Sequence, residues 1–115
     1  MYRIMLKSKI HRACVTDANL DYQGSITIDR ALMDAVDLRE DEKVLVANLT
    51  NGKRIETYVI PAERGSKTIC INGAAAHKFS KGDRIIVMAF SVVGEEELQT
   101  YQPRKIALNE RNEVI

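Results

Sequence analysis

The chain has 115 residues, which is the length of a single domain. Its composition, 45% hydrophobic and 29% charged, is that of a globular protein and excludes a disordered or fibrous chain. The 17 basic and 16 acidic residues leave a net charge of +1, and the sequence has no tryptophan. Proteins that bind nucleic acid usually carry a basic excess and aromatic residues that stack on bases. We therefore expect no nucleic-acid partner.

Neither a membrane segment nor a metal site is expected from the sequence. Basic residues interrupt the N-terminal segment Met1–Ile10, and no stretch approaches the ~20 apolar residues that span a bilayer. These patterns predict a cytoplasmic protein with no membrane contact. Cys14 and Cys70 stand apart, with no second cysteine or histidine at ligand spacing. They are expected to be buried or half-buried thiols, with no metal bound.

The first third of the chain is predicted to consist of strands, a loop and a short helix. The alternating segments Tyr2–Lys7 and Lys9–Val15 predict strands, and the second places Lys9, His11 and Ala13 on one face. A polar loop over 16–23 precedes a short β-branched strand, Ser25–Ile28. Asp29 is a predicted N-cap, because Leu32, Met33 and Val36 follow at helical spacing.

The rest of the chain is predicted to be mostly strands. Val44–Leu49 and Lys53–Ile60 are joined by Asn51-Gly52, a strong hairpin signal, and the second strand is expected to stop at Pro61. Asn72 is expected to cap one helical turn. Further strands are predicted at Thr68–Ile71, Arg84–Val93 and Lys105–Leu108. About seven short strands with two helical turns predict a mainly β fold closed into a small barrel, because a short sheet must hide its edges.

Gly24-Ser25 lies where the polar loop meets a strand, and two interpretations are open. It can be an ordinary turn followed by a strand start. Alternatively, the serine hydroxyl can attack the preceding carbonyl, converting the amide to an ester. Glycine suits that position because it tolerates distorted backbone geometry.

Three further groups of residues can be read as surface structure or as parts of a site. Alternation over 54–58 places Arg54 and Tyr58 on one face and Thr57 on the other. Arginine and tyrosine two residues apart can bind a carboxylate and offer a proton, or can simply form an exposed strand face. The small residues after Asn72 can present backbone N–H groups to an anion or pack a helix against a sheet. Lys9 and His11 can belong to a site or to a solvated edge.

In their order along the chain, these features resemble the pyruvoyl-dependent aspartate 1-decarboxylase family. Five stretches carry the resemblance at the family's spacing: Met5–Arg12, Tyr22–Asp29, Asn51–Tyr58, Glu63–Ser66 and Ile71–Ala76. Together they cover residue 1 to about residue 93. Five motifs in order are specific, where any one alone would be weak.

The resemblance implies a closed double-psi β-barrel with short helices, assembled as a homotetramer with active sites between subunits. It implies one domain over residues 1–115, cut between Gly24 and Ser25 into a β chain (1–24) and an α chain (25–115). Ser25 would become a covalent pyruvoyl group that forms a Schiff base with L-aspartate. No pyridoxal phosphate and no metal are implied. The product is β-alanine for pantothenate biosynthesis.

The resemblance also implies a role for each matching residue. Tyr58 is expected to be the proton donor, and Thr57 to assist self-processing and contact substrate. Arg54 is expected to bind the substrate carboxylate, with Lys9 and His11 lining the pocket. The residues expected to hold the pyruvoyl group and substrate are Asn72, Gly73, Ala74 and Ala75.

Two alternatives stay open at this point. A non-catalytic β-barrel of the swapped-hairpin type could act as a DNA-binding or interaction module, but it would need a basic face, of which the net charge gives no sign. A decarboxylase of another amino acid is the nearest enzymatic alternative. A panel of amino acids as substrates would separate it from an aspartate enzyme.

Overall fold

A computed structural model describes all residues, 1–115, and shows eight strands with three short helical segments. The strands are β1 Tyr2–Cys14, β2 Asp17–Asn19, β3 Ser25–Asp29, β4 Lys43–Asn48, β5 Arg54–Ala62, β6 Ile69–Asn72, β7 Arg84–Gly94 and β8 Arg104–Ala107. The helical segments are α1 Arg30–Ala35, a 3₁₀ helix Gly73–Lys78 and α2 Glu95–Leu98. None of the helices has the length and apolar character needed to cross a membrane.

The strands form one mixed sheet in the order β2-β6-β3-β5-β4-β7-β1-β8. Antiparallel pairs join β1 to β7, β3 to β6, and β4 to both β5 and β7. Parallel pairs join β1 to β8, β2 to β6 and β3 to β5. The prediction of a mainly β fold is confirmed, and closure of the sheet into a barrel stays a prediction. β2 lies inside the stretch predicted as a loop, so that part of the prediction is wrong.

The two segments predicted at the N-terminus form one long strand, β1. Its register against β7 shifts between Leu6 and Ser8 and again between Ile10 and Ala13, and Arg12 has a φ of +63°. The second shift inserts a residue, so Ile10 and Ala13 are both fully buried, at 0% exposure. The prediction that Ala13 shares a face with His11 is therefore wrong.

β5 continues through Pro61, where the sequence predicted that it would stop. Residues 54–58 pair with β4, and the continuation Val59–Ala62 pairs in parallel with β3. After Val59, β5 pairs only with β3, because its pairing with β4 ends at Tyr58. Proline has no N–H, and at position 61 no second neighbouring strand requires one. β5 thus links the two halves of the sheet and carries residues 54–58 toward β3.

One cluster of apolar side chains forms the core, with contributions from α1 and six of the strands. Ile26 and Ile28 of β3, Ile69 and Ile71 of β6 and Ile10 of β1 are all fully buried. β6 and β1 stand five places apart in the strand order, yet their side chains share this core.

Asp29 joins β3 to α1, and its prediction as an N-cap is confirmed. Its carboxylate is fully buried and accepts backbone N–H bonds from Ala31 at 2.8 Å and from Gly65 and Lys67 at 2.9 Å. Burial by itself raises the pKa of Asp29, but these three donors outweigh it, so the pKa lies below its ordinary value. Asp29 therefore fastens the segment that leads into β6 to the start of α1.

An Asp29→Asn variant is expected to lose about 2 kcal/mol of unfolding free energy at neutral pH, because an amide cannot accept all three bonds. The depressed pKa means that the contribution is present above the unfolded carboxyl's pKa, about 4, and disappears as pH falls through the native value. Denaturant unfolding at several pH values measures this. Asp34→Asn, which alters an exposed pair with Arg64, is the control. An equal loss at neutral and low pH would contradict the assignment.

Candidate active site

Four side chains from two neighbouring strands form a square on one face of the sheet. β3 contributes Ser25 and Thr27, and β6 contributes Cys70 and Asn72. Residues two apart on a strand point to the same face. The antiparallel register sets Ser25 opposite Asn72 and Thr27 opposite Cys70. Such cross-strand pairs are close enough for their side chains to touch.

Ser25 is held by hydrogen bonds at the start of β3. Its side chain is buried, and its Oγ accepts a hydrogen bond from Asn72 Nδ2 at 3.0 Å. The same hydroxyl can donate to the Gln23 carbonyl at 3.4 Å. Asn72 is also buried and gives its second N–H to Thr27 Oγ1 at 2.9 Å. Asn72 stands at the N-cap position of the 3₁₀ helix but makes no capping bond, so the prediction that it caps the helix is wrong.

The peptide before Ser25 is in close contact with Gly73. Gly73 has a φ of +71°, and a Cβ built there would stand 2.7 Å from both Cα and N of Gly24 and 3.1 Å from the Tyr22 carbonyl oxygen. Real Cβ atoms do not approach backbone so closely, so only glycine allows this packing. The Gly24-Ser25 peptide therefore rests in a cradle of backbone, with the Asn72 amide beside it.

A cavity of about 630 Å³ opens over the square of side chains. Besides the square, its wall includes Tyr22, Gln23, Asp41, Tyr58, Ile60 and Thr68. An adjoining groove is lined by Gly24, Ile55, Glu56, Thr57, Tyr58, Ala74, Ala75 and Lys78. Tyr58 belongs to both walls, so the groove and the cavity meet at the Gly24-Ser25 peptide.

Thr57 and Tyr58 reach this place from β5. The register of β5 against β4 runs without a shift from Tyr58 opposite Lys43 to Arg54 opposite Ala47. Strict alternation therefore holds, and Thr57 is half-buried while Tyr58 is 37% exposed. The structure brings together most of the predicted site residues: Gly24, Ser25, Thr57, Tyr58, Asn72, Gly73, Ala74 and Ala75.

Arg54, Lys9 and His11 lie outside the walls of the Ser25 cavity within one chain. Arg54 is exposed and lines a separate depression beside Leu45. Lys9 pairs with Lys105 of β8, and His11 with Ala107. Burial, with the positive charges of neighbouring residues, lowers the pKa of His11, which favours the neutral imidazole. Its Nδ1 is buried and makes no hydrogen bond. The predicted roles of these three residues stay predictions.

Thr27, Cys70 and Asp41 belong to the cavity but were not predicted. No motif marks them. Alternation places Thr27 on the face of Ser25 and Cys70 on the face of Asn72, and the pairing of β3 with β6 brings the two strands together. Burial raises the pKa of the Cys70 thiol, and the charge of Asp17 raises it further. The thiol therefore keeps its proton, and its Sγ donates to Asn72 Oδ1 at 3.3 Å. Both cysteines are half-buried and free, as predicted.

Comparison with known proteins gives one consistent result. The family model described as aspartate decarboxylase matches residues 1–115. The aspartate 1-decarboxylase of Syntrophomonas wolfei is 55% identical over 114 residues, covering 99% of this chain and 97% of the relative. That of Thermoanaerobacter pseudethanolicus is 54% identical over 115 residues, covering 100% of this chain and 98% of the relative. That of Bacillus licheniformis is 51% identical over 114 residues, covering 99% of this chain and 90% of the relative.

Proposed function

The chain belongs to the aspartate decarboxylase family, and we propose from that premise that it cuts itself between Gly24 and Ser25 and works with a pyruvoyl group made from Ser25. Its reaction is the release of the α-carboxylate of L-aspartate as CO₂, which leaves β-alanine for pantothenate biosynthesis. The observation that carries the proposal is the buried Ser25 hydroxyl, bonded to Asn72 at a peptide that Gly73 packs against.

The proposed self-cleavage begins when Ser25 Oγ attacks the Gly24 carbonyl carbon. The amide becomes an ester, and the nitrogen of Ser25 leaves as an amine. Loss of the Ser25 Cα proton then breaks the Cβ–O bond and releases residues 1–24 with a carboxylate at Gly24. The enamine left at residue 25 takes a proton at Cβ, which becomes a methyl group, and water then replaces the nitrogen, which departs as ammonia and leaves a ketone at Cα. The Asn72 N–H on Oγ stabilises negative charge on that oxygen as it leaves.

We assign Thr57 to the processing step. It lies in the groove that Gly24 also lines, so its hydroxyl can donate to the Gly24 carbonyl oxygen as negative charge develops there. Its position on β5 is well defined because the register with β4 is continuous.

The site fits a pyruvoyl group in place of Ser25. Gly73 packs so closely against Gly24 that a larger residue at position 73 would not fit. The Asn72 amide places an N–H beside residue 25. Asn72, Gly73 and the amides of Ala74 and Ala75 would hold the group. A pyruvoyl ketone supplies an electrophile for the substrate amine and an electron sink for the carboxylate bond, which no ordinary side chain offers.

In turnover we assign proton donation to the hydroxyl of Tyr58. It stands in the wall shared by the cavity and the groove, beside the position of Ser25. A tyrosine hydroxyl is a donor at neutral pH and can protonate a strongly basic carbon centre. After CO₂ leaves, that carbon is the former Cα of aspartate.

We further propose a homotetramer in which a neighbouring copy supplies Arg54, Lys9 and His11 to the cavity. The apolar surface of the β1–β7 pair supports association, because Tyr2, Ile4 and Val92 are 68% to 75% exposed on adjoining strands. Exposed apolar patches of this kind mark interaction surfaces. The register of β5 against β4 has no bulge, so Arg54 and Thr57 point to opposite faces of the strand. A site between subunits would let Arg54 of one copy reach the cavity of another.

We propose that the sheet closes into a double-psi barrel within a single domain. Strands five places apart in a flat sheet would stand about 24 Å from each other. Side chains of β1 and β6 nevertheless share one core, and Thr16 just after β1 makes three hydrogen bonds with Ile69 of β6. A cytoplasmic location fits the two free cysteines, which reducing conditions preserve.

Arg54→Ala is expected to leave self-cleavage intact and to raise KM for aspartate about 30-fold or more. The reason is the loss of a charge-assisted, two-point contact with the substrate carboxylate. Cleavage followed by mass spectrometry and steady-state kinetics measure the two effects. Arg111→Ala, which alters an exposed pair with Glu113, is the control. Normal KM in the Arg54 variant would remove it from substrate binding.

The substrate assignment is tested by offering the cleaved protein a panel of amino acids and measuring CO₂ and amine products. Aspartate is expected to react and to yield β-alanine, while glutamate and neutral amino acids are not. A fully cleaved protein that acts on another amino acid but not on aspartate would overturn the assignment.

A further inference from the structure

Three of the four hydrogen-bonding directions of the Asn72 side-chain amide are occupied by protein groups. Nδ2 donates to Ser25 Oγ at 3.0 Å and to Thr27 Oγ1 at 2.9 Å, and Oδ1 accepts from Cys70 Sγ at 3.3 Å. Asn72 is 2% exposed, so water has little access to it. The amide is therefore oriented by protein groups alone.

The orientation of this amide is not determined by the two hydroxyls. An asparagine amide can turn by 180°, exchanging its oxygen and nitrogen, and a serine or threonine hydroxyl can either donate or accept. Ser25 and Thr27 could thus satisfy the amide in both orientations. The thiol favours one orientation, because its S–H donates to the amide oxygen, whereas in the turned orientation the sulfur would meet an N–H as a weak acceptor. The third contact therefore selects the orientation.

We propose that Cys70, together with Thr27, is a positioning residue that turns the Asn72 amide so that an N–H faces Ser25 Oγ. The inference rests on the proposed self-cleavage. With the N–H on Oγ, one oxygen lone pair is occupied, and the hydroxyl hydrogen points away from Asn72, in the direction of the Gln23 carbonyl. The other lone pair stays available for attack on Gly24. The turned amide would instead bind the hydroxyl hydrogen and leave the departing oxygen without a donor.

The state of the thiol supports this role. Burial, with a contribution from Asp17, raises the pKa of Cys70, so the sulfur keeps the hydrogen that it donates. Thr27 completes the arrangement by taking the second N–H, which would otherwise be buried without a partner. Neither residue touches the bond that is cut; both act through Asn72.

The test is the rate at which freshly purified precursor cleaves, followed by intact mass over time. Cys70→Ala is expected to slow cleavage about fivefold, as loss of one hydrogen bond implies. Cys70→Ser, whose hydroxyl can donate to Oδ1 but can also accept from a turned amide, is expected to recover part of the lost rate and to cleave between Cys70→Ala and the parent. Cys14→Ala is the matched control, because that half-buried thiol does not line the cavity and its Sγ donates to the Val15 carbonyl at 4.0 Å. It is expected to cleave like the parent.

A second pair of variants tests the hydrogen bond from the Asn72 amide to Thr27. Thr27→Val removes the acceptor with little change in volume, and Thr27→Ser restores it. The first is expected to slow cleavage about fivefold and the second to recover. Thermal unfolding of each precursor identifies a variant that fails by misfolding. If Cys70→Ala does not fold, Cys70→Val, which fills the space without a donor, takes its place.

The inference is overturned if Cys70→Ala or Cys70→Val cleaves at the parent rate, or if Cys70→Ser is as slow as Cys70→Ala. These outcomes are separate from failure of the proposed function. A parent chain that never cleaves rejects the self-processing proposal itself. A parent that cleaves, beside a Cys70→Ala variant that cleaves equally fast, rejects only the positioning role.

Discussion

A Ser25→Ala variant is expected to remain a single chain near 13.0 kDa and to produce no β-alanine from aspartate. Alanine has no Oγ to attack the Gly24 carbonyl, so neither the ester nor the ketone can form. The fold should survive, because the loss is one buried hydroxyl whose partner Asn72 keeps its bond to Thr27. Intact-mass spectrometry and an assay for β-alanine measure both consequences.

Two matched variants separate nucleophile loss from general damage. Ser80→Ala alters an exposed serine and is expected to cleave normally. Ser25→Cys keeps a nucleophile, and its thiol is expected to support cleavage of the same peptide bond. Cleavage of Ser25→Ala at the parent rate would rule out Oγ as the attacking group.

A Tyr58→Phe variant is expected to cleave normally but to turn over at least about 100-fold more slowly, the usual scale of a lost general acid. The change removes one hydroxyl from the wall shared by the cavity and the groove and leaves the ring in place. Because the hydroxyl acts after CO₂ departs, KM is expected to change little. Single-turnover and steady-state kinetics on the cleaved protein provide the measurement.

Tyr2→Phe is the control for this variant, since Tyr2 is 75% exposed near the start of β1. An unchanged kcat in Tyr58→Phe would remove Tyr58 from proton transfer. A failure to cleave would instead place its hydroxyl in the processing step.

Local signals in the sequence predicted the local structure well. The cap that Asp29 forms on α1 could be predicted, because a carboxylate just before residues at helical spacing is a short-range pattern. The strands on either side of Asn51-Gly52 pair with each other, as that turn predicts. The errors arise where tertiary contacts override the local pattern. The bulge at Arg12 places the Ala13 side chain in the core, and pairing with β3 extends β5 through Pro61.

The candidate site divides in the same way. Motifs identified Gly24, Ser25, Tyr58 and their neighbours, and the structure brings these residues together. Thr27 was missed because its contact with Asn72 depends on the register between strands more than 40 residues apart. Cys70 was missed because no motif marks it, although alternation along β6 places it on the face of Asn72. Asn72 lies at the predicted N-cap position, but its side chain donates a hydrogen bond to Ser25 Oγ and does not cap the helix. Arg54, Lys9 and His11 lie outside the cavity of a single chain, and their predicted roles stay predictions.

Cleavage between Gly24 and Ser25 is visible as a change in mass, which denaturing intact-mass spectrometry of the purified protein measures. Two species are expected, about 2.8 kDa for residues 1–24 and about 10.1 kDa for residues 25–115, with hydroxylamine adding to the ketone of the larger one. A single 13.0 kDa species that persists after warm incubation, in a preparation that still converts aspartate to β-alanine, would contradict the proposed cleavage.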